Sequence, residues 1–199
     1  MSAGPAWECE FETADTAATQ ALAERLGRQL RAGDLLVLTG ELGAGKTTFT
    51  QGLGAGMGVR PGIISPTFVL VRIHPNLGDG PDLVHVDAYR LGSAAEIDDV
   101  DLENTMDTSV TVVEWGAGRV EHLSDSRLEV ELVRATGADE AAGGARSAGA
   151  GSTTAGPAGA GPGPDFDDEF DDEVEDRRVI RLRAFGPRWA AREGRLDLQ

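Results

Sequence analysis

The stretch Gly40-Glu41-Leu42-Gly43-Ala44-Gly45-Lys46-Thr47-Thr48 carries the residues best suited to chemistry in this chain. It satisfies the pattern G-x-x-x-x-G-K-[ST] in full, and the pattern has a mechanical meaning. Its glycines let the backbone curl so that successive N–H groups point inward at phosphate oxygens, and a helix starting near Lys46 adds the positive end of its dipole. Lys46 then reaches toward β- and γ-phosphate oxygens, and Thr47 offers a hydroxyl to Mg²⁺. Composition supports this: of 18 basic residues, 17 are arginine and Lys46 is the sole lysine. The chain departs from its habit of using arginine where a compact ammonium suits a phosphate better than a planar fork.

The elements needed to position this loop occur in the required order. Asp34-Leu35-Leu36-Val37-Leu38-Thr39 is a continuous apolar run, the mark of a strand buried on both faces, and Thr47 to Met57 is helix-competent. A second such run, Val110-Thr111-Val112-Val113, ends in Glu114. An acid at the carboxyl end of a central strand lies where open α/β sheets bind their ligands. Asp87 closes a third run, Leu83-Val84-His85-Val86. The turn cluster Asn76 to Pro81 joins that run to Phe68–Ile73, a connection short enough to predict an antiparallel hairpin.

Toward the amino end, Trp7 to Phe11 alternates as a half-buried strand. Ala18, Leu22, Leu26 and Leu30 draw one stripe along a helix, capped by Asp15 or Thr16 and expected to end near Gly33. Gly54, Gly56 and Gly58 are expected to end the helix after the loop, and Ala94 to Met106 to form one or two short helices. At the other end, Leu128, Val130 and Leu132 alternate, as do Ile180, Leu182 and Ala184, which reads as a terminal hairpin. Between these arms, residues 137–176 are rich in Gly, Ala, Ser, Thr and Pro and then in acids, and cannot bury enough apolar surface to offset ordering entropy. The organisation expected is an ATPase-like domain over 1–136, a disordered insertion over 137–176, and the last strand and tail over 177–199. The fold class is α/β, a P-loop NTPase-like three-layer fold with a mixed, partly antiparallel sheet.

The formal net charge is −16, and nine of those acids lie between Asp165 and Asp176, leaving −7 for the rest. Binding of nucleic acid by this chain alone is therefore not expected, because phosphate backbones are held by Lys and Arg. Cys9 is the only cysteine, which excludes an intrachain disulfide and a multi-thiolate zinc site. No apolar run approaches the roughly 18 residues that a membrane span needs, and no opening stretch reads as a signal peptide. A soluble, cytoplasmic protein is expected. Seven arginines from Arg177 to Arg195 are expected to neutralise the nearby acidic run, the other reading being contact with tRNA or an acidic partner.

Set beside Ser65-Pro66-Thr67-Phe68, His85-Val86-Asp87-Ala88-Tyr89-Arg90-Leu91 and Glu114-Trp115, the Gly40–Thr48 loop makes the chain resemble the bacterial TsaE (YjeE) family over about residues 10 to 134. That resemblance implies a small P-loop ATPase, with ATP and Mg²⁺ as ligands, that works with TsaD and TsaB in forming N6-threonylcarbamoyladenosine at position 37 of tRNAs reading codons that begin with A. Its ATP hydrolysis would support repeated turnover of that pair without forming the carbamoyl bond, and tRNA would be met indirectly through the complex. It places Gly40 and Leu42 to Thr48 around the nucleotide, Thr47 with Glu114 at Mg²⁺, and Asp87 as a required acid that orients water or responds to the γ-phosphate. Ser65, Pro66 and Thr67 fall where a nucleotide-sensing switch belongs. Thr19 falls where the family has a threonine near the base. Trp115 is read as equally a site residue or core packing, and His85 as structural. Two other readings stay open: a small P-loop kinase, disfavoured because Arg60, Arg72, Arg90, Arg119, Arg127 and Arg134 are scattered singly and make no evident lid, and an assembly module that binds nucleotide without significant hydrolysis.

Overall fold

The computed structural model describes residues 4–91, 96–97, 102–134, 176–192 and 196–198. In chain order the elements are β1 (Trp7–Thr13), α1 (Thr16–Gly27), β2 (Leu35–Thr39), α2 (Lys46–Met57), β3 (Val71–His74), β4 (Asp82–Asp87), β5 (Ser109–Glu114), β6 (Arg127–Arg134) and β7 (Arg178–Phe185). Two one-turn helices, Glu103–Met106 and Pro187–Ala190, accompany them. The strands form one sheet in the order β1-β7-β6-β2-β5-β4-β3. Its centre is parallel, β2 pairing with β5 and β6, and β4 with β5. Its edges are antiparallel: β3 on β4, β7 on β6 and β1 on β7. This is the mixed P-loop fold expected, with both hairpins in place. The 137–176 insertion lies outside the described residues, apart from Asp176.

Strict alternation along β2 sends Leu36 and Leu38 to one face and Leu35 and Val37 to the other, and all four are fully buried. The first face packs on Leu22 and Leu26 of α1 and Phe49 and Leu53 of α2. The second packs on Val84, Val86 and Val113 and is covered by Leu91, Ile97, Leu102, Met106 and Val120. Among the described residues that covering layer lies over β2, β5 and β4, with Val71 of β3 packed against it. On the β1-β7-β6 side the same face carries ion pairs, Arg181 with Glu10 at 2.6 Å and Arg183 with Glu129 at 3.4 Å.

Three local expectations are corrected. Helix α1, capped by the Asp15 side chain accepting from Ala18 N at 2.7 Å, ends at Gly27 and not near Gly33. Leu30 still reaches the core, but from a turn. Helix α2 continues through Gly54 and Gly56 to Met57, and only Gly58, at φ 77°, terminates it. The internal glycines serve packing: a Cβ on Gly56 would sit 2.1 Å from Glu24 O, and one on Gly52 2.5 Å from Gln20 O, so α1 and α2 meet backbone to backbone. Residues 68–70 form a turn, not the start of a strand, because Val69 N and Leu70 N both donate to Pro66 O. Leu70 takes φ 67° there, and β3 starts only at Val71.

The clustered C-terminal arginines bind acids of the folded domain. Arg188 Nε donates to Asp34 Oδ1 at 2.6 Å and Arg192 to Asp34 Oδ2 at 2.9 Å, with Arg31 N also on Oδ2 at 2.7 Å. The Asp34 side chain is fully buried, so the strap after β7 is clamped to the amino end of β2. A cavity of about 550 Å³ opens beside this clamp, among Arg28, Arg31, Arg188 and Arg192, at the end of β2 remote from the glycine-rich loop. Of the acidic run, Asp176 is held by Arg178 at 2.7 Å. Replacing Asp34 by alanine is expected to cost about 3 kcal/mol, because two guanidiniums then lose their carboxylate. Urea unfolding measures this, and an unchanged midpoint would show the clamp to be dispensable.

Candidate nucleotide site

The carboxyl ends of β2, β4 and β5 open on one edge of the sheet, and the three sequence motifs meet there in a cleft of about 360 Å³. The loop from Gly40 to Gly45 leaves β2 and delivers Lys46 as the first residue of α2. Gly45 must be glycine twice over: its φ is 102°, and a Cβ would lie 2.9 Å from Arg178 Nε. The Lys46 side chain is 5% exposed. Its Nζ donates to Gly40 O and Glu41 O, both at 2.8 Å, and lies 3.7 Å from the centroid of the Trp115 ring. Burial lowers its pKa from the ordinary lysine value, while the Glu114 and Asp87 carboxylates oppose that shift.

Parallel pairing of β4 and β5 sets Asp87 directly beside Glu114. Thr47 Oγ1 donates to Glu114 at 3.0 Å to Oε1 and 3.3 Å to Oε2. A hydroxyl and a carboxylate converging beside the glycine-rich loop are hard oxygen donors of the kind that could hold Mg²⁺. Asp87 divides its two oxygens. Oδ1 accepts from Tyr89 N at 3.0 Å, the strand-end turn bond, and Oδ2 accepts from Ser65 at 3.0 Å and Thr67 at 2.6 Å. Ser65 Oγ and Thr67 Oγ1 lie 2.7 Å apart in the same cluster, so the 65–67 turn is tied to the end of β4.

Gly43, Gly45, Leu42, Lys46, Thr47, Thr48, Ser65, Thr67, Asp87 and Glu114 therefore all face one cleft. Ala44 is buried beneath it, and Gly40 contributes a carbonyl to Lys46. Thr19 is not brought there: it is fully buried, and its hydroxyl is shared with Thr13 at 2.8 Å and donated to Asp15 O at 3.0 Å.

The structure places three further residues at the site: Trp115, which the sequence left open between site and core packing, Arg178 and His85. Trp115 leaves the sheet at φ 63°, a left-handed conformation that costs about 1–3 kcal/mol in a non-glycine residue. Its N–H bond to Leu38 O at 2.9 Å holds it there, with its ring between Lys46 and Tyr89. Arg178, 6% exposed, donates from Nε to Ala44 O at 2.9 Å and so braces the glycine-rich loop from β7. It also holds the Asp176 carboxyl at about 2, aided by a hydrogen bond from Thr16. The stabilisation from that depressed carboxyl is present above its ordinary 3.8 and is lost as pH falls toward 2. His85 lies against Glu114. No local signal marks Arg178, which comes from a strand 132 residues beyond Lys46.

A family model described as Threonylcarbamoyl adenosine biosynthesis protein TsaE matches residues 13–142. The tRNA threonylcarbamoyladenosine biosynthesis protein TsaE of Streptomyces coelicolor is 60% identical over 122 residues, which span 60% of this chain and 82% of that protein. The protein of the same name from Bacillus subtilis is 37% identical over 134 residues, 67% of this chain and 82% of that one. Among solved structures, the crystal structure of Bacillus subtilis YdiB superimposes with a TM-score of 0.62 and 26% identity, covering 96% of this chain and 94% of that chain.

Proposed function

The chain belongs to the TsaE family, with its role in the biosynthesis of threonylcarbamoyladenosine in tRNA, and from that premise we propose that it is a Mg²⁺-dependent ATPase acting with TsaD and TsaB. The observation that carries this reading is the convergence of the Thr47 hydroxyl on the Glu114 carboxylate beside the glycine-rich loop that presents Lys46. Thr47 and Glu114 would hold Mg²⁺, which supplies charge neutralisation to the β- and γ-phosphate oxygens.

The chain's own groups supply the rest. Backbone N–H groups of residues 43–48 cradle the phosphates, and Lys46 exchanges its bonds to Gly40 O and Glu41 O for phosphate oxygens. Trp115 and Arg178 keep the cradle and its lysine in place. Hydrolysis attaches a water oxygen to the γ-phosphorus and breaks the bond to the β–γ bridging oxygen, releasing ADP and phosphate. Asp87 couples that event to the 65–67 turn, since its Oδ2 holds both Ser65 and Thr67. The threonylcarbamoyl bond is formed elsewhere in the system.

Around the cleft mouth Leu42 is 90% exposed, Phe68 88% and Tyr89 61%. Large apolar side chains left in water around a reaction site favour docking of a protein partner there. Phe68→Ser is therefore expected to leave ATP affinity within about twofold while lowering TsaD–TsaB-stimulated phosphate release by about tenfold. Full stimulation of that variant would move the docking face elsewhere. The function as a whole is tested by measuring phosphate release from ATP with and without Mg²⁺ and the two partners.

A further inference from the structure

Glu114 is held from two sides. Its Oε1 lies 2.8 Å from His85 Nε2 and 3.0 Å from Thr47 Oγ1, while Oε2 meets Thr47 only at 3.3 Å. A carboxylate only accepts hydrogen bonds, so the ring nitrogen facing it carries the hydrogen. His85 is fully buried and Glu114 is 3% exposed, so water does not compete for this bond.

The other ring nitrogen argues against a mere core filler. His85 Nδ1 is buried with no hydrogen-bond partner among the described residues. Leaving such an atom unsatisfied costs about 1–3 kcal/mol, and an apolar side chain at 85 would avoid the cost. His74 lies behind, its ring centroid 6.1 Å from that of His85, and its buried Nε2 is likewise without a partner among the described residues. The polar ring is retained where its one satisfied bond is to the acid of the cleft.

We infer that His85 is a positioning residue: it fixes Oε1 of Glu114 from below, so that the carboxylate is presented to the Thr47 hydroxyl and to the ion those two groups would share. The inference rests on the proposed Mg²⁺ role of Glu114. Sequence position makes it possible, because His85 and Asp87 alternate onto the same face of β4, and β4 pairs with β5 in a register that aligns His85 with Val112 and Asp87 with Glu114. One strand thus provides both the support for Glu114 and the anchor of the 65–67 turn.

The test compares wild type, His85→Leu, which lacks the donor, and His85→Gln, whose amide N–H replaces it. ADP and a non-hydrolysable ATP analogue are titrated calorimetrically in EDTA and across a Mg²⁺ series. In EDTA the three proteins are expected to agree within about twofold, while half-maximal enhancement of binding in the Leu variant requires about tenfold more Mg²⁺ and the Gln variant stays within about threefold of wild type. Three results overturn the inference: wild-type Mg²⁺ dependence in the Leu variant, an equal loss of affinity with and without Mg²⁺, or a Gln variant as impaired as Leu. Absence of any Mg²⁺ enhancement in wild type would instead remove the ion site itself, so the two failures are distinguishable.

Discussion

Lys46→Ala is expected to lower ATP affinity by about 100-fold or more, since charge-assisted bonds to two phosphates vanish together. Lys46→Arg is expected to be nearly as damaging. The Lys46 ammonium sits between two carbonyl oxygens at 2.8 Å and the Trp115 ring at 3.7 Å, a space matched to a compact cation. A planar guanidinium needs more width and a different bonding fan. Calorimetric titration of ATP gives the affinities, and a thermal melt of each variant separates lost binding from lost folding. Near-normal affinity in the Arg variant would contradict the close fit.

The second large effect separates the two acids. Glu114→Ala is expected to weaken Mg²⁺-dependent nucleotide binding as well as turnover, because Thr47 then faces the ion without its carboxylate partner. Asp87→Ala is expected to spare ATP and ADP affinity while reducing partner-stimulated hydrolysis by about 100-fold or more, a loss confined to the transition state. The geometry gives the reason: Asp87 touches Ser65, Thr67 and its own turn, whereas Glu114 touches Thr47. Titrations with and without Mg²⁺, paired with phosphate release, read both quantities. If Asp87→Ala hydrolyses ATP at the wild-type rate, or Glu114→Ala keeps full Mg²⁺ dependence, the roles are wrongly assigned.

Much of this site was legible in the sequence because its parts obey local rules. Gly40 to Thr48 spells out its backbone path, and apolar runs ending in Glu114 and Asp87 announce buried strands with acids at one edge. Part of what local rules missed was decided by contacts distant in sequence, and part by turns just beyond an element. Gly54 and Gly56 read as helix breakers, yet they lie within α2, and at Gly56 α1 comes too close for a side chain. Phe68 to Leu70 has strand composition, but Pro66 gathers two N–H donors and bends the chain. Leu30 fits the stripe of α1 while lying past its end, since a turn can return a side chain to the same core. His85 looked structural because its role depends on strand register, and Arg178 was silent because its partner carbonyl belongs to Ala44.

The central claim is that the Thr47–Glu114 pair and the Lys46 loop form a Mg²⁺-dependent ATPase that serves the TsaD–TsaB pair. Its most direct test is steady-state phosphate release from ATP by the full chain, measured in four arms: with Mg²⁺ or EDTA, and with or without TsaD and TsaB. The account predicts little release in EDTA, slow release with Mg²⁺ alone, and release at least about tenfold faster when both partners are added. Release that ignores Mg²⁺, or no release in the arm containing Mg²⁺ and both partners while ATP still binds, would contradict it.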